Sequence, residues 1–336
     1  MKKLVGITMT MVLLLSVLAY AQENALTLYG SAEPRSVEIL AKGFEEAAGV
    51  KVNWIRLSSG ETLARLRAEK DNPQADVWWG GTIDPHSVAA LEGLTEPYCP
   101  SIFDQIDPRF RDPIGDCKVI GVYVGILGFS VNEEVLKEAG LPTPTGWDDM
   151  VDPKYKGLVG IANPNTSGTA LTMLATQVFL RGEDAAMEYM KKLHKNIANY
   201  TKAGVAPGVL AGRGEIAIAI VFLHDAIYHA EQGYPVKPIV PKEGTGYEIG
   251  GLNLVKGAPH PDLAKKFMDW VVSAPAQETQ PTVGAYQLPT NTKAAVPAVS
   301  VRIESVKTVN YDFKWVAENG VRLTDRWTKE VFTLPR

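Results

Sequence analysis

His224, Asp225 and Glu248 combine the residue types that take hydrogen bonds from, or exchange protons with, a small polar solute. The apolar run Ile216 to Phe222 delivers the first two to the end of a buried strand. The glycine-rich turn Gly244-Thr245-Gly246-Tyr247 then leads into the third. Carboxylates in a cleft accept hydrogen bonds only, so they call for donors such as sugar hydroxyls or an ammonium group. Asp225 also fits the N-cap of a helix over 226–232, and His224 a core histidine.

Anion chemistry has a different address. Three turns place small hydroxyls and glycine after an expected strand: Gly30-Ser31, Ser58-Ser59-Gly60, and the run Asn163-Pro164-Asn165-Thr166-Ser167-Gly168-Thr169. In an α/β layer such turns lie beyond the C-terminal strand ends, where helix N-termini point free N–H groups. A helix N-terminus carries about half a positive charge. Thr166, Ser167 and Thr169 can each add a hydroxyl donor, which makes this run the best phosphate candidate. One such turn is explained by ordinary helix capping. Three in one exported chain point to a binding cleft. Glu33 and Trp79 are further candidates by position; Trp78 and Trp79, as strand neighbours, face opposite sides, so one belongs to the core.

Catalysis finds little support. The chain has no G-x-S-x-G elbow and no H-E-x-x-H, and holds only five histidines. His224 beside Asp225 is not a triad, because base and orienter must meet a nucleophile in space. In GTGYEIG the third glycine comes one position late for a dinucleotide fingerprint. A secreted α/β hydrolase is therefore the distant rival, and no catalytic residue, cofactor or metal is assigned.

The elements that must position these residues alternate. Strand Leu26 to Tyr29 precedes a helix opening at Pro34, strand Val50 to Ile55 a helix from Glu61 to Lys70, and strand Ala75 to Trp79 a helix near Pro85 to Leu91. Short, polar, glycine-rich connections between them are the signature of a parallel α/β sheet. A second alternating block follows Tyr123 to Val131, and the chain ends in helices near Pro261 to Val272 and Pro275 to Val283.

Residues 1–21 read as a secretory signal: Lys2 and Lys3, an apolar core from Leu4 to Leu18, and Ala19-Tyr20-Ala21 as cleavage site. Its removal leaves 315 residues, enough for two domains, and moves the formal charge from −4 to −6. That balance, with no basic run, argues against a nucleic-acid surface. Cys99 and Cys117 are the only cysteines and read as one disulfide in an exported protein. No His or further Cys stands at zinc spacing beside them.

The stretch from Gly214 to Glu278 resembles periplasmic solute-binding proteins of the ferric-ion-binding type, which feed ABC importers. The resemblance rests on the strand, the Gly233-Tyr234-Pro235 segment, the Gly-Thr turn and the helix of KGAPHPDLAKKFMDW. Iron-binding members carry adjacent tyrosines where this chain reads Leu223-His224-Asp225. HDA followed by GTGYEIG is instead similar to the branch that binds hexose phosphates, in which Asp and Glu grip hydroxyls. The resemblance implies a two-lobe α/β fold: lobe 1 from residues 22–126 plus 254–336, lobe 2 from 127–253, cleft between. It implies phosphate held by the Ser/Thr-Gly turns, with Gly81 and Thr82 as a third wall beside Ser31, Ser58, Ser59, Gly60, Thr166, Ser167, Gly168 and Thr169. Asp225, Glu248 and His224 would hold the sugar. The expected protein is a periplasmic monomer that delivers a small phosphorylated solute to an inner-membrane ABC permease. Thiamine or its phosphates, a phosphonate and ferric ion are the alternative cargoes.

Overall fold

The computed structural model describes residues 25–336; the expected signal segment, residues 1–21, lies outside them. In chain order, strand β1 (Ala25–Gly30) leads to helix α1 (Pro34–Ala48), β2 (Lys51–Arg56) to α2 (Ser59–Ala68), and β3 (Val77–Thr82) to α3 (Ile83–Leu91). After the short β4 (Thr95–Glu96) comes the long β5 (Ile120–Asn132), then α4 (Glu133–Glu138), β6 (Val159–Ala162), α5 (Gly168–Arg181) and α6 (Glu183–His194). There follow β7 (Ile197–Thr201), α7 (Ala206–Gly212), β8 (Ile218–Phe222), α8 (Leu223–Glu231) and β9 (Val236–Ile239). The last elements are β10 (Tyr247–Val255), α9 (Pro261–Val271), α10 (Ala274–Gln277), β11 (Leu288–Pro289) and α11 (Phe313–Trp327).

Local chemistry sets the ends of these elements. Helix α1 starts on Pro34, whose missing N–H is no loss in a first turn, and stops at Gly49, which takes φ 66°. Between them Val37, Leu40, Ala41 and Phe44 fall on one face and are buried, with Phe44 edge-on to Phe267 of α9 at 5.1 Å.

The strands are ordered β2-β1-β3-β10-β5-β8-β6-β7, with β4 beside β10 and β9 and β11 beside β5. The expected parallel pairing holds for β1 with β2 and β3, while β10 is antiparallel to β3 and β5, and β5 to β8, so the sheet is mixed. Strand β5 joins two halves of this mixed α/β fold. Its first part, Ile120 to Ile126, pairs with β10, and its second, from Leu127, pairs with β8 and β9. One apolar core collects Leu28, Phe44, Trp79 and Phe267 under the first half; another collects Phe129, Trp147, Val159 and Leu174 under the second. The C-terminal helix runs from the seam into the second core, with Phe313 and Val316 packing at the seam against Ile83 and Leu171, and Leu323 and Trp327 in the second core. Cys99 and Cys117 form a disulfide, with Cα atoms 5.2 Å apart. Closing a loop of that length stabilises by about 3 kcal/mol in the chain-entropy account. Among the described residues no helix is long and apolar enough to cross a membrane.

The seam also buries a carboxylate. Asp84, in the first turn of α3, receives a hydrogen bond from Tyr311 Oη at 3.1 Å, while its Oδ1 has no partner among the described residues. Burial pushes its pKa up to about 7. The unfolded chain gives up this proton near pH 4 and the folded one near 7, so the stability that Asp84 contributes is complete below pH 4 and lost as pH rises through 7. Asp84→Asn is therefore expected to raise unfolding stability by on the order of 2 kcal/mol at pH 8 and by nothing measurable at pH 4. Denaturant melts at the two pH values check this; an equal gain at both would show that charge is not the cause.

Candidate functional site

The C-terminal ends of β1, β2, β3, β6 and β8 and the segments that follow them converge on one cleft. Ser31 follows β1. Its Oγ accepts from Trp78 Nε1 at 2.8 Å and shares a 3.0 Å hydrogen bond with Thr62 Oγ1, so this hydroxyl is already engaged. Arg56 ends β2 and is fixed by two contacts: Nε donates to Ala32 O at 3.2 Å and Nη1 to Ser58 Oγ at 3.3 Å. Ser58 and Ser59 open α2, whose Glu61 carboxylate accepts from the Ser58 N–H at 3.1 Å. After Trp79 strand β3 bulges at Gly80 and Gly81, at φ 78° and 75°, which admit few other residues. A Cβ on Gly81 would also meet the Ser59 hydroxyl and lie 2.7 Å from Ser31 Cβ. The Gly81 N–H donates to Tyr123 Oη at 2.6 Å. Thr82 is buried, and its hydroxyl has no partner among the described residues.

The opposite wall comes from the second half. Asn163 folds the loop before α5, with its Oδ1 accepting from Asn165 N at 2.9 Å and its carbonyl from Ser167 N at 2.9 Å. Ser167 and Thr169 then stand at the N-terminus of a fourteen-residue helix, packed against Gly204, where a Cβ would collide with both hydroxyls. Strand β8 ends at Phe222, and α8 carries His224 and Asp225 in its first turn. Asp225 is thus inside the helix and not its N-cap. Strand β10 brings in Glu248 opposite Gly125 of β5.

Ser31, Ser58, Ser59, Gly81, Thr82, Ser167, Gly168, Thr169, His224, Asp225 and Glu248 all line this cleft, together with Glu33. Its space is about 430 Å³, part of it open to solvent. Gly60 and Thr166 are not among its lining residues. The Gly60 N–H donates to the Thr166 carbonyl at 3.2 Å, and Thr166 Oγ1 donates to Lys202 O at 2.8 Å, so these two bridge the walls. Neither tryptophan reaches the cleft: Trp79 lies in the first core, and Trp78 is stacked on His86 at 3.5 Å. Arg56, Tyr123 and Gln287 line it without having been read from the sequence. Arg56 alone gave a signal, as a cation just ahead of the Ser-Ser-Gly turn.

Charge divides the cleft. Arg56, the hydroxyls and two helix N-termini favour an anion. Three carboxylates line the same cleft. Glu33 pairs with Arg35 at 3.0 Å, yet burial and then the Asp225 charge push its pKa up to about 7. Burial raises Asp225 to about 7 against the pull of Arg35 and Arg56, and holds Glu248 well above the usual carboxylate range, with Asp225 adding to it. Burial pushes His224 down to about 3, so the ring is neutral at pH 7.

Residues 40–305 match a family described as bacterial extracellular solute-binding protein. The chain belongs to that family. Among solved solute-binding proteins it is similar to the periplasmic binding protein AfuA from Actinobacillus pleuropneumoniae, a structure with exogenous fructose-6-phosphate bound. The TM-score is 0.91 and the identity 45%, over 92% of this chain and 99% of that one. The periplasmic binding protein P5PA gives 0.88 at 37% identity, with 92% and 99% covered. The major ferric iron-binding protein of Neisseria meningitidis serogroup A is 26% identical over 77% of this chain and 79% of its own. The solute-binding scaffold with its two lobes thus holds cargoes of different chemistry, and the cleft residues must decide which one this chain takes.

Proposed function

We propose that this solute-binding protein captures a sugar phosphate, such as a hexose 6-phosphate, in the periplasm and presents it to an inner-membrane ABC permease. The observation that carries the reading is that one cleft holds both anion donors and two buried carboxylates, Asp225 and Glu248, that no Lys or Arg pairs with among the described residues; we assign the two sets to two ends of the solute. Phosphate lies among Arg56, Ser58, Ser59, Thr82, Ser167 and Thr169; sugar hydroxyls reach Asp225, Glu248 and His224. The bound sugar phosphate in AfuA supports the same reading. The protein works as a monomer. The lobes, expected to cross at residues 126 and 253, are taken to meet near Ile126 and at β10, a reading that the pairing of β10 with β3 and the first part of β5 supports. Contacts to both walls exist only when the lobes are closed, so solute shifts the population toward the closed form that a permease recognises.

A thermal-shift screen tests the proposal, with hexose 6-phosphates, free hexoses, inorganic phosphate, thiamine phosphates, 2-aminoethylphosphonate and ferric citrate. A ligand at 100 times its Kd adds about 2.7 kcal/mol. The expected result is a shift with hexose phosphates and none with the free sugars. A shift confined to thiamine compounds, phosphonate or iron would overturn the cargo.

A further inference from the structure

Acceptors crowd one end of the cleft. Glu248 stands opposite Gly125 on one side of β5, and Leu288 stands opposite Val124 on the other, so Gln287 flanks the same glycine. A Cβ on Gly125 would lie 2.7 Å from Glu248 Oε1 and 2.8 Å from His224 Cε1, so only glycine leaves room for both groups. Gln287 is 9% exposed, and its Oε1 has no hydrogen-bond partner among the described residues. His224 Nε2 lies 3.7 Å from Asp225 Oδ1 and 3.9 Å from Glu248 Oε1, and the ring is neutral at pH 7. Among the described residues no Lys or Arg pairs with either carboxylate: Arg35 pairs with Glu33, and Arg56 turns to Ala32 and Ser58.

Two carboxylates and an amide side chain therefore line one space with no cation at ion-pair distance among the described residues, Arg35 and Arg56 acting on Asp225 only from farther off. A sugar hydroxyl offers each of them a single O–H and no charge. An ammonium group offers three N–H donors and a compensating charge in a place sheltered from water. Among the described residues no group of three or more His, Cys, Asp or Glu is arranged to hold a metal ion instead.

We propose that this end of the cleft recognises an ammonium group, and that the preferred cargo is a phosphorylated amino sugar. The inference rests on the reading of the opposite end as the phosphate site. Calorimetric titration at pH 7 with glucose 6-phosphate, glucosamine 6-phosphate and N-acetylglucosamine 6-phosphate tests it. Glucosamine 6-phosphate is expected to bind at least tenfold tighter than glucose 6-phosphate, and its N-acetylated form, which has lost the charge, no tighter than glucose 6-phosphate. Glu248→Gln and Gln287→Leu should each shrink the amine preference at least threefold, with glucose 6-phosphate affected less. If glucosamine 6-phosphate binds no tighter than glucose 6-phosphate while the latter still binds, the ammonium assignment falls and the phosphate reading stands. If none of the three binds, both fall.

Discussion

Gly168→Val is expected to weaken solute capture at least hundredfold while leaving the unliganded chain as stable as its parent. Gly168 opens α5 on the second wall, and a Cβ there would strike the Thr82 side chain on the first, 2.9 Å from its Cβ and closer to its hydroxyl. Gly60 repeats the arrangement from the other side, with a Cβ 2.9 Å from Asn165 O and 3.0 Å from the Thr166 carbonyl carbon. Neither glycine has positive φ, so a side chain strains no backbone and its cost falls on the approach of the walls. The open form, in which the walls stand apart, is untouched. A variant that disfavours closure by about 2.7 kcal/mol lowers apparent affinity about hundredfold, because only the closed population binds. Titration with hexose phosphate, together with a melt of the free protein, separates the two effects. Binding within threefold of the parent would show that closure does not bring these residues together. Gly60→Ala, a smaller intrusion at the same seam, should lose affinity by a lesser factor and guards against a folding defect in the valine variant.

Those glycines also show what could be read from the chain. The alternation of strand and helix was legible because each signal is local: Pro34 and Gly49 bracket an apolar stripe whose spacing needs no partner to interpret. The hydroxyl turns were legible for the same reason, since Ser58 stands just after a predicted strand and Ser167 and Thr169 close the loop that follows another. The direction of β5 and β10 was not, because a buried strand shows the same apolar run whichever way it lies in the sheet. Helix α11 was passed over because its apolar residues divide between the seam and the second core. Tyr123, Gly125 and Gln287 belong to no motif; strand register alone places them at the cleft, and register is a tertiary fact. Trp79 was drawn to the cleft by its position at a strand end. The strand instead bulges through the two glycines that follow it and runs on to Thr82, and the indole stays in the core.

Register also makes the second large effect specific to one part of the cargo. Asp225→Ala and Glu248→Ala are each expected to weaken hexose phosphate binding by tenfold to hundredfold, about 1.5–3 kcal/mol for a hydrogen bond to a charged group. Inorganic phosphate, which reaches only the anion end, should change by less than threefold. Arg56→Ala should weaken both ligands alike, since its guanidinium stands beside Ser58 at that end. Stability should move the other way. Both carboxylates are buried with raised pKa, so in the free protein they are most costly when ionised. Below pH 4 they are protonated in folded and unfolded chains alike and the cost vanishes; it grows as pH rises toward and beyond 7. Glu248→Gln keeps the shape, removes the charge, and should therefore raise the melting temperature of the free protein at pH 8 while lowering its affinity. A residue that stabilises the fold when removed, yet is needed for binding, is held there by the ligand. If Asp225→Ala and Glu248→Ala weaken inorganic phosphate as much as hexose phosphate, the carboxylates serve the cleft as a whole and the two-ended division is wrong. If they weaken neither, the sugar lies elsewhere, and the raised pKa values describe only a buried pair at the seam of two lobes.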